Sequence, residues 1–132
     1  MRNSFLLLGL ATIFSMLVAF TPAANRKPWV VPEKFEKMKN PVAVDDASLK
    51  VGKTVYTKHC ESCHGKKGKG DGSKSAQLDT DPGNFPKDLP SQSDGALYYK
   101  VVEGRDDMPS FKKKIPDTEE IWAVVNYMRT FK

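Results

Sequence analysis

Apolar positions are spread unevenly along the chain, and their spacing changes three times. A largely apolar run from Phe5 to Phe20 follows the positive start Met1-Arg2-Asn3 and ends in small residues at Thr21, Ala23 and Ala24. Its 16 residues fall short of the ~20 that a spanning helix needs. A positive start, a short apolar core and a small-residue exit make a secretory signal peptide over 1–24. An uncleaved anchor is the alternative. Residues 25–46 then show no periodicity. Pro28, Pro32 and Pro41 lie among mixed charges, and each removes an amide donor and restricts its predecessor. This predicts an extended arm with a turn of helix at Glu33 to Met38. Either Trp29 and Phe35 pin it to a domain or it is a flexible spacer.

Helical spacing begins near Ala47. Ser48 is placed to cap a helix that carries Val51, Val55 and Tyr56 on one face. Gly52 interrupts it at a cost of about 1 kcal/mol relative to alanine, which suggests a second helix crossing closely there. The partner is at the other end of the chain. Pro116, Asp117 and Glu120 open a terminal helix with Ile121, Trp122, Val124, Val125, Tyr127 and Met128 along it. Between the two, Gly65 to Gly72 reads as loop, as does the region of Pro82, Gly83 and Pro86. Ser93 to Val102 reads as a short helix with Leu97, Tyr98 and Val101 facing a core. The pattern predicts an all-α domain of three main helices and long loops over residues 47–132.

Loss of residues 1–24 leaves 108, enough for one small domain. With 28% charged residues there is little apolar surface to bury, so a buried prosthetic group would relieve a real shortage. Arg2 leaves with residues 1–24, so the net charge falls from +5 to +4, which is mild, and aromatics are not interleaved with a basic stripe, which argues against nucleic acid.

The chemistry concentrates in Cys60-Glu61-Ser62-Cys63-His64. C-x-x-C-H is the attachment signature of c-type haem. Its two thiols form thioethers to one porphyrin, and the adjacent histidine is held at the iron as proximal ligand. Three other readings compete. Structural zinc wants four ligands, and the only further histidine, His59, adjoins the motif. A thioredoxin-like pair wants a βαβ setting. A disulfide between Cys60 and Cys63 would strain the bridge geometry. Haem suits the context best, and export agrees with it, since thioether formation in bacteria is completed outside the cytoplasm.

Gly52, Tyr56, Cys60, Cys63 and His64, the loop through Gly65, Gly68, Gly70, Asp71 and Gly72, the segment Gly104, Met108 and Pro109, and the terminal Val125 and Tyr127 occur in order. From Ser48 to Phe131 the chain resembles class I cytochromes c, in particular the short exported monohaem bacterial forms. The resemblance implies first and last helices crossing near Gly52 and Tyr127, one covalent haem c in a crevice, His64 below the iron and Met108 above it. The residues agree with Met108. His59 is tied to the proximal side, Met128 lies within a helix and Met38 precedes the domain, whereas Met108 stands in a helix-free stretch ending at Pro109. The resemblance also implies a backbone carbonyl, often of proline, accepting the proton of the proximal histidine. Pro82 is the candidate and Pro86 the alternative. Arg105 is placed to pair with a haem propionate or to be solvated, and Tyr98, Tyr99 and Phe111 read as wall or core.

The expected function follows from these assignments. A haem with both axial positions filled exchanges single electrons and binds no substrate, so the chain reads as a periplasmic or outward-facing electron carrier and not an enzyme. Lys53, Lys58, Lys66, Lys67, Lys69 and Lys74, with Lys112 to Lys114, would form a positive rim for acidic redox partners of a monomer, although Asp79 to Asp81 breaks its uniformity. The alternatives are a haem-based sensor or small-ligand binder with a displaceable distal site, and an electron-transfer subunit dedicated to one enzyme complex.

Overall fold

A computed structural model describes residues 28–132, so the expected signal peptide over 1–24 lies outside the described residues. Two long helices carry the architecture. The arm contributes the short helix α1 (Glu33–Glu36), and α2 (Asp46–His59) leads directly into α3 (Glu61–His64). A 3₁₀ turn at Ser75–Gln77, α4 (Phe85–Asp88), α5 (Asp94–Glu103) and α6 (Thr118–Met128) follow. Among the described residues the only strand-like pairing is an isolated bridge between Arg105 and Met108. The fold is thus all-α, with α2, α5 and α6 as its main helices.

Capping differs in detail from the sequence expectation. Asp45, not Ser48, is the N-cap of α2. Its carboxylate accepts from the Ser48 amide at 2.7 Å, and the Ser48 hydroxyl accepts from the Asp45 amide at 3.2 Å. An aspartate with serine three residues on satisfies two orphan amides at once, which displaces the helix start toward Asp45. At α6 the Asp117 carboxylate accepts from the Glu119 amide at 2.8 Å, and Glu120 takes no part in that cap.

The crossing of α2 on α6 is set by Gly52. A Cβ at that position would collide with the Ala123 carbonyl and lie 2.8 Å from the Tyr127 Cβ. Backbone contact this close admits only glycine, and it offsets the propensity cost in α2. Val55 and Tyr56 of α2, Leu97 and Val101 of α5, and Ile121, Val124, Val125 and Met128 of α6 are buried in one core. Val51 does not join them and is 41% exposed, because the approach of α6 centres on Gly52.

The arm is seated along the domain. The Phe35 ring lies 4.7 Å from that of Tyr99, the Ser93 hydroxyl donates to Glu36 at 2.9 Å, and the Phe35 carbonyl abuts Gly95. Deeper in, Asn126 of α6 is buried. Its amide donates to the Val42 and Ala43 carbonyls at 3.1 and 3.2 Å and accepts from Asn40 at 2.8 Å. No described helix is long and apolar enough to cross a membrane.

Candidate functional site

The junction between α2 and α3 brings the reactive residues together. Cys60 closes α2 and opens α3, so its thiol is held between two helical turns. Cys60 is buried, Cys63 is half-buried, and both are free thiols. Burial, with a smaller contribution from Cys63, pushes the Cys60 thiol up to about 12. Both thiols and His64 line a cavity of about 710 Å³, a size within the range of cofactor sites. Among the described residues no three of His, Cys, Asp and Glu converge closely enough to hold a metal ion, the opposite of what structural zinc requires.

His64 stands in an apolar setting. Its ring lies 4.5 Å from that of Phe85, and burial lowers its pKa to about 4, with the Pro82 carbonyl acting in the opposite direction. The imidazole is therefore neutral at physiological pH, the form in which histidine ligates a metal. Its Nδ1 is buried and has no hydrogen-bond partner. The Pro82 carbonyl is near enough to favour the protonated ring electrostatically yet falls short of a formed hydrogen bond. Pro82 lines the cavity, whereas Pro86 lies in the first turn of α4 and does not.

Met108 lines the same cavity. Gly104 ends α5 with φ 68°, and the chain folds into a tight turn in which Arg105 and Met108 exchange amide–carbonyl bonds of 2.8 and 2.9 Å. Asp106, at φ 52°, sits at the tip. A Cβ on Gly104 would come within 2.5 Å of the Met108 carbonyl, so this glycine lets the segment double back. Met108 is partly buried against the core and lines the cavity with Leu97, Val101 and the buried Phe111. The Asp107 carboxylate accepts from the Thr80 amide at 2.7 Å, which ties the Met108 turn to the loop that carries Pro82.

These residues fit a c-type haem. The cavity is mainly apolar and is lined by two free thiols, a neutral histidine and a methionine. The buried Nδ1 of His64 has no partner, and the Pro82 carbonyl lies close by. Tyr98 stacks on Trp122 at 4.2 Å and Tyr99 packs on Phe35, so both are wall or core. Arg105 lines the cavity, bonds the Pro28 carbonyl at 3.2 Å and lies over the Trp29 ring. Lys58, Lys74 and Lys114 line the cavity, while Lys53, Lys66, Lys67, Lys69, Lys112 and Lys113 are exposed and do not line it. Sequence reasoning missed Trp29 and Lys100 as cavity residues. A tryptophan among prolines and a lysine on a helix show no pattern that places them there.

A family model described as cytochrome c oxidase, cbb3-type, subunit III matches residues 47–128. No curated protein matches the sequence. Among solved structures, a chain of the Kuenenia stuttgartiensis reducing HAO-like protein complex Kustc0457/Kustc0458 is similar in fold, with a TM-score of 0.63 at 23% identity. The match covers 81% of this chain and 52% of that one, so this chain spans about half its length. The KustC0563 c-type cytochrome matches with a TM-score of 0.53 at 30% identity, over 61% of this chain and 96% of its own. A single-residue mutant of that cytochrome matches at 28% identity with a TM-score of 0.51, over 61% of this chain and 98% of its own.

Proposed function

This chain belongs to the cytochrome c oxidase, cbb3-type, subunit III family, whose c-type cytochrome domain carries electrons and is not an enzyme, and on that premise we propose that it is a monohaem one-electron carrier with His64 and Met108 as axial ligands. Cys60 and Cys63 hold the single haem c covalently. When bound, that group supplies one exchangeable electron. The chain's own residues do the rest. His64 offers a neutral nitrogen, and Pro82 is the acceptor that would take the Nδ1–H bond and fix the ring once the haem is held. Met108, which lines the same cavity, supplies a soft sulfur. Leu97, Val101 and Phe111 keep water from the interior, and Arg105 faces a propionate.

The single observation that carries this reading is the placement of Cys60, Cys63, His64 and Met108 on the walls of one cavity, although 44 positions separate His64 from Met108 in the sequence. The chain is exported by its N-terminal segment to the periplasm or the outer membrane face, works as a monomer, and meets acidic partners through its exposed lysines. A second reading has support of its own. The match to the HAO-like complex covers more of this chain than residues 47–132 contain, so it extends into the arm, whereas the match to the small cytochrome need not. That favours a subunit dedicated to one complex, with the arm as part of its docking surface.

Optical spectra of the matured protein, oxidised and reduced, with and without CO, test the assignment. The ferric form is expected to show the weak long-wavelength band of methionine sulfur on iron, and CO is expected to leave the reduced spectrum unchanged. Met108→Ala should abolish the band and admit CO. A wild-type chain that lacks the band and binds CO readily would instead be a small-ligand binder or sensor.

A further inference from the structure

We propose that Trp29, carried by the arm, and Lys100 of α5 form with Arg105 a carboxylate-binding subsite in the cavity wall, which receives the propionates of the haem. The inference rests on the haem reading above and assigns two residues that reading does not use. Trp29 lies outside the family-matched segment of 47–128, yet it lines the cavity with Pro28. The arm therefore completes a wall that the matched domain leaves open.

Two cations share one indole. The Lys100 Nζ lies 5.4 Å from the centre of the Trp29 ring and the Arg105 guanidinium 4.6 Å from it. The quadrupole of one aromatic ring attracts both, which holds two like charges together at the cavity edge. Lys100 is half-buried and donates to the side-chain oxygen of Gln92, but it makes no ion pair with any described carboxylate. Burial lowers its pKa. Glu36 of α1 and Asp88 of α4 act favourably on it from a distance, and Arg105 acts against it. A partly desolvated ammonium without a carboxylate is costly, and Arg105 beside it adds to that cost even though its own Nε pairs with Asp106 at 3.2 Å. A ligand carboxylate at the cavity edge offsets the cost at Lys100. The seating of the arm through Phe35 on Tyr99, the neighbour of Lys100, keeps the indole in register with these cations.

The test is the pH dependence of the reduction potential in matured full-length chains. A carboxylate beside an ammonium ionises at lower pH, and its ionisation lowers the potential as pH rises. In Lys100→Met the pH step in the potential should move up by ~1 pH unit, and Lys100→Arg should restore it. Trp29→Ala should move the step the same way, because both cations lose their platform. If Lys100→Met fails to mature, Trp29→Ala reads the same step. A haem-loaded wild type whose step is unmoved by these substitutions overturns the subsite alone. A wild type that acquires no covalent haem overturns the carrier reading and the subsite with it.

Discussion

Around the cavity, burial decides what a single side chain can do. His64 stays neutral and Cys60 stays protonated because neither can be charged cheaply where it sits. Tyr56 follows the same rule. Its phenol is held above its usual pKa, chiefly by burial, and so remains a donor. Its hydroxyl donates to the Gly65 carbonyl at 2.7 Å, which anchors the residue directly after His64. Tyr56→Phe leaves that carbonyl unsatisfied and should cost about 1–2 kcal/mol, read in urea as a lower midpoint with an unchanged slope. The cluster Cys60, Cys63 and His64 was legible in the sequence because covalent attachment dictates a fixed short spacing. The tie from Tyr56 to Gly65 was not, since a hydrogen bond across the α2–α3 junction imposes no spacing of its own.

At the scale of elements, two glycines set geometry that side chains then use. Alanine at Gly52 gains about 1 kcal/mol in helix propensity, but it drives a methyl into the Ala123 carbonyl. Backbone on both sides cannot move aside, so the steric cost of about 1–3 kcal/mol or more wins. Gly52→Ala should lower the thermal midpoint despite its propensity gain. Gly104→Ala acts elsewhere. The positive φ alone costs about 1–2 kcal/mol, and the methyl presses on the Met108 carbonyl at 2.5 Å and on Pro109. The expected signature is local. On heating, the methionine–iron band should vanish well before the helical circular dichroism does, whereas in wild type the two losses lie closer together. The helices α2, α5 and α6 were legible because their apolar faces repeat at helical spacing. The turn at Met108 was legible only as a helix-free stretch, because a non-glycine residue in the left-handed region, Asp106, leaves no mark in the sequence.

Across the whole molecule, the arm turns an open two-helix crossing into a closed structure. It starts at the cavity with Trp29, follows α5 through Phe35 and Glu36, and ends at α6 through Asn40, Val42 and Ala43. Asn126 is the joint, since its side chain is the buried polar group on α6 that satisfies arm carbonyls. The sequence left the arm as either pinned or flexible, because prolines exclude a helix without saying what the extended chain touches. In Asn126→Ala the Asn40 amide and two carbonyls lose a partner in a site that admits little water. A loss of about 2 kcal/mol corresponds to a fall of roughly 10 °C in a domain this size. A change in core packing alone would produce a similar fall, so the midpoint is not sufficient evidence. Trypsin supplies the distinction. Lys37 and Lys39 are exposed on the arm, and cleavage there requires the backbone to leave the domain surface. In wild type, cleavage at these lysines should be as slow as global unfolding, whereas in Asn126→Ala it should run ahead of unfolding while the terminal helix stays intact. Fast cleavage of the wild-type arm with the domain still folded would mean that the arm is a tether and that the crevice closes without it.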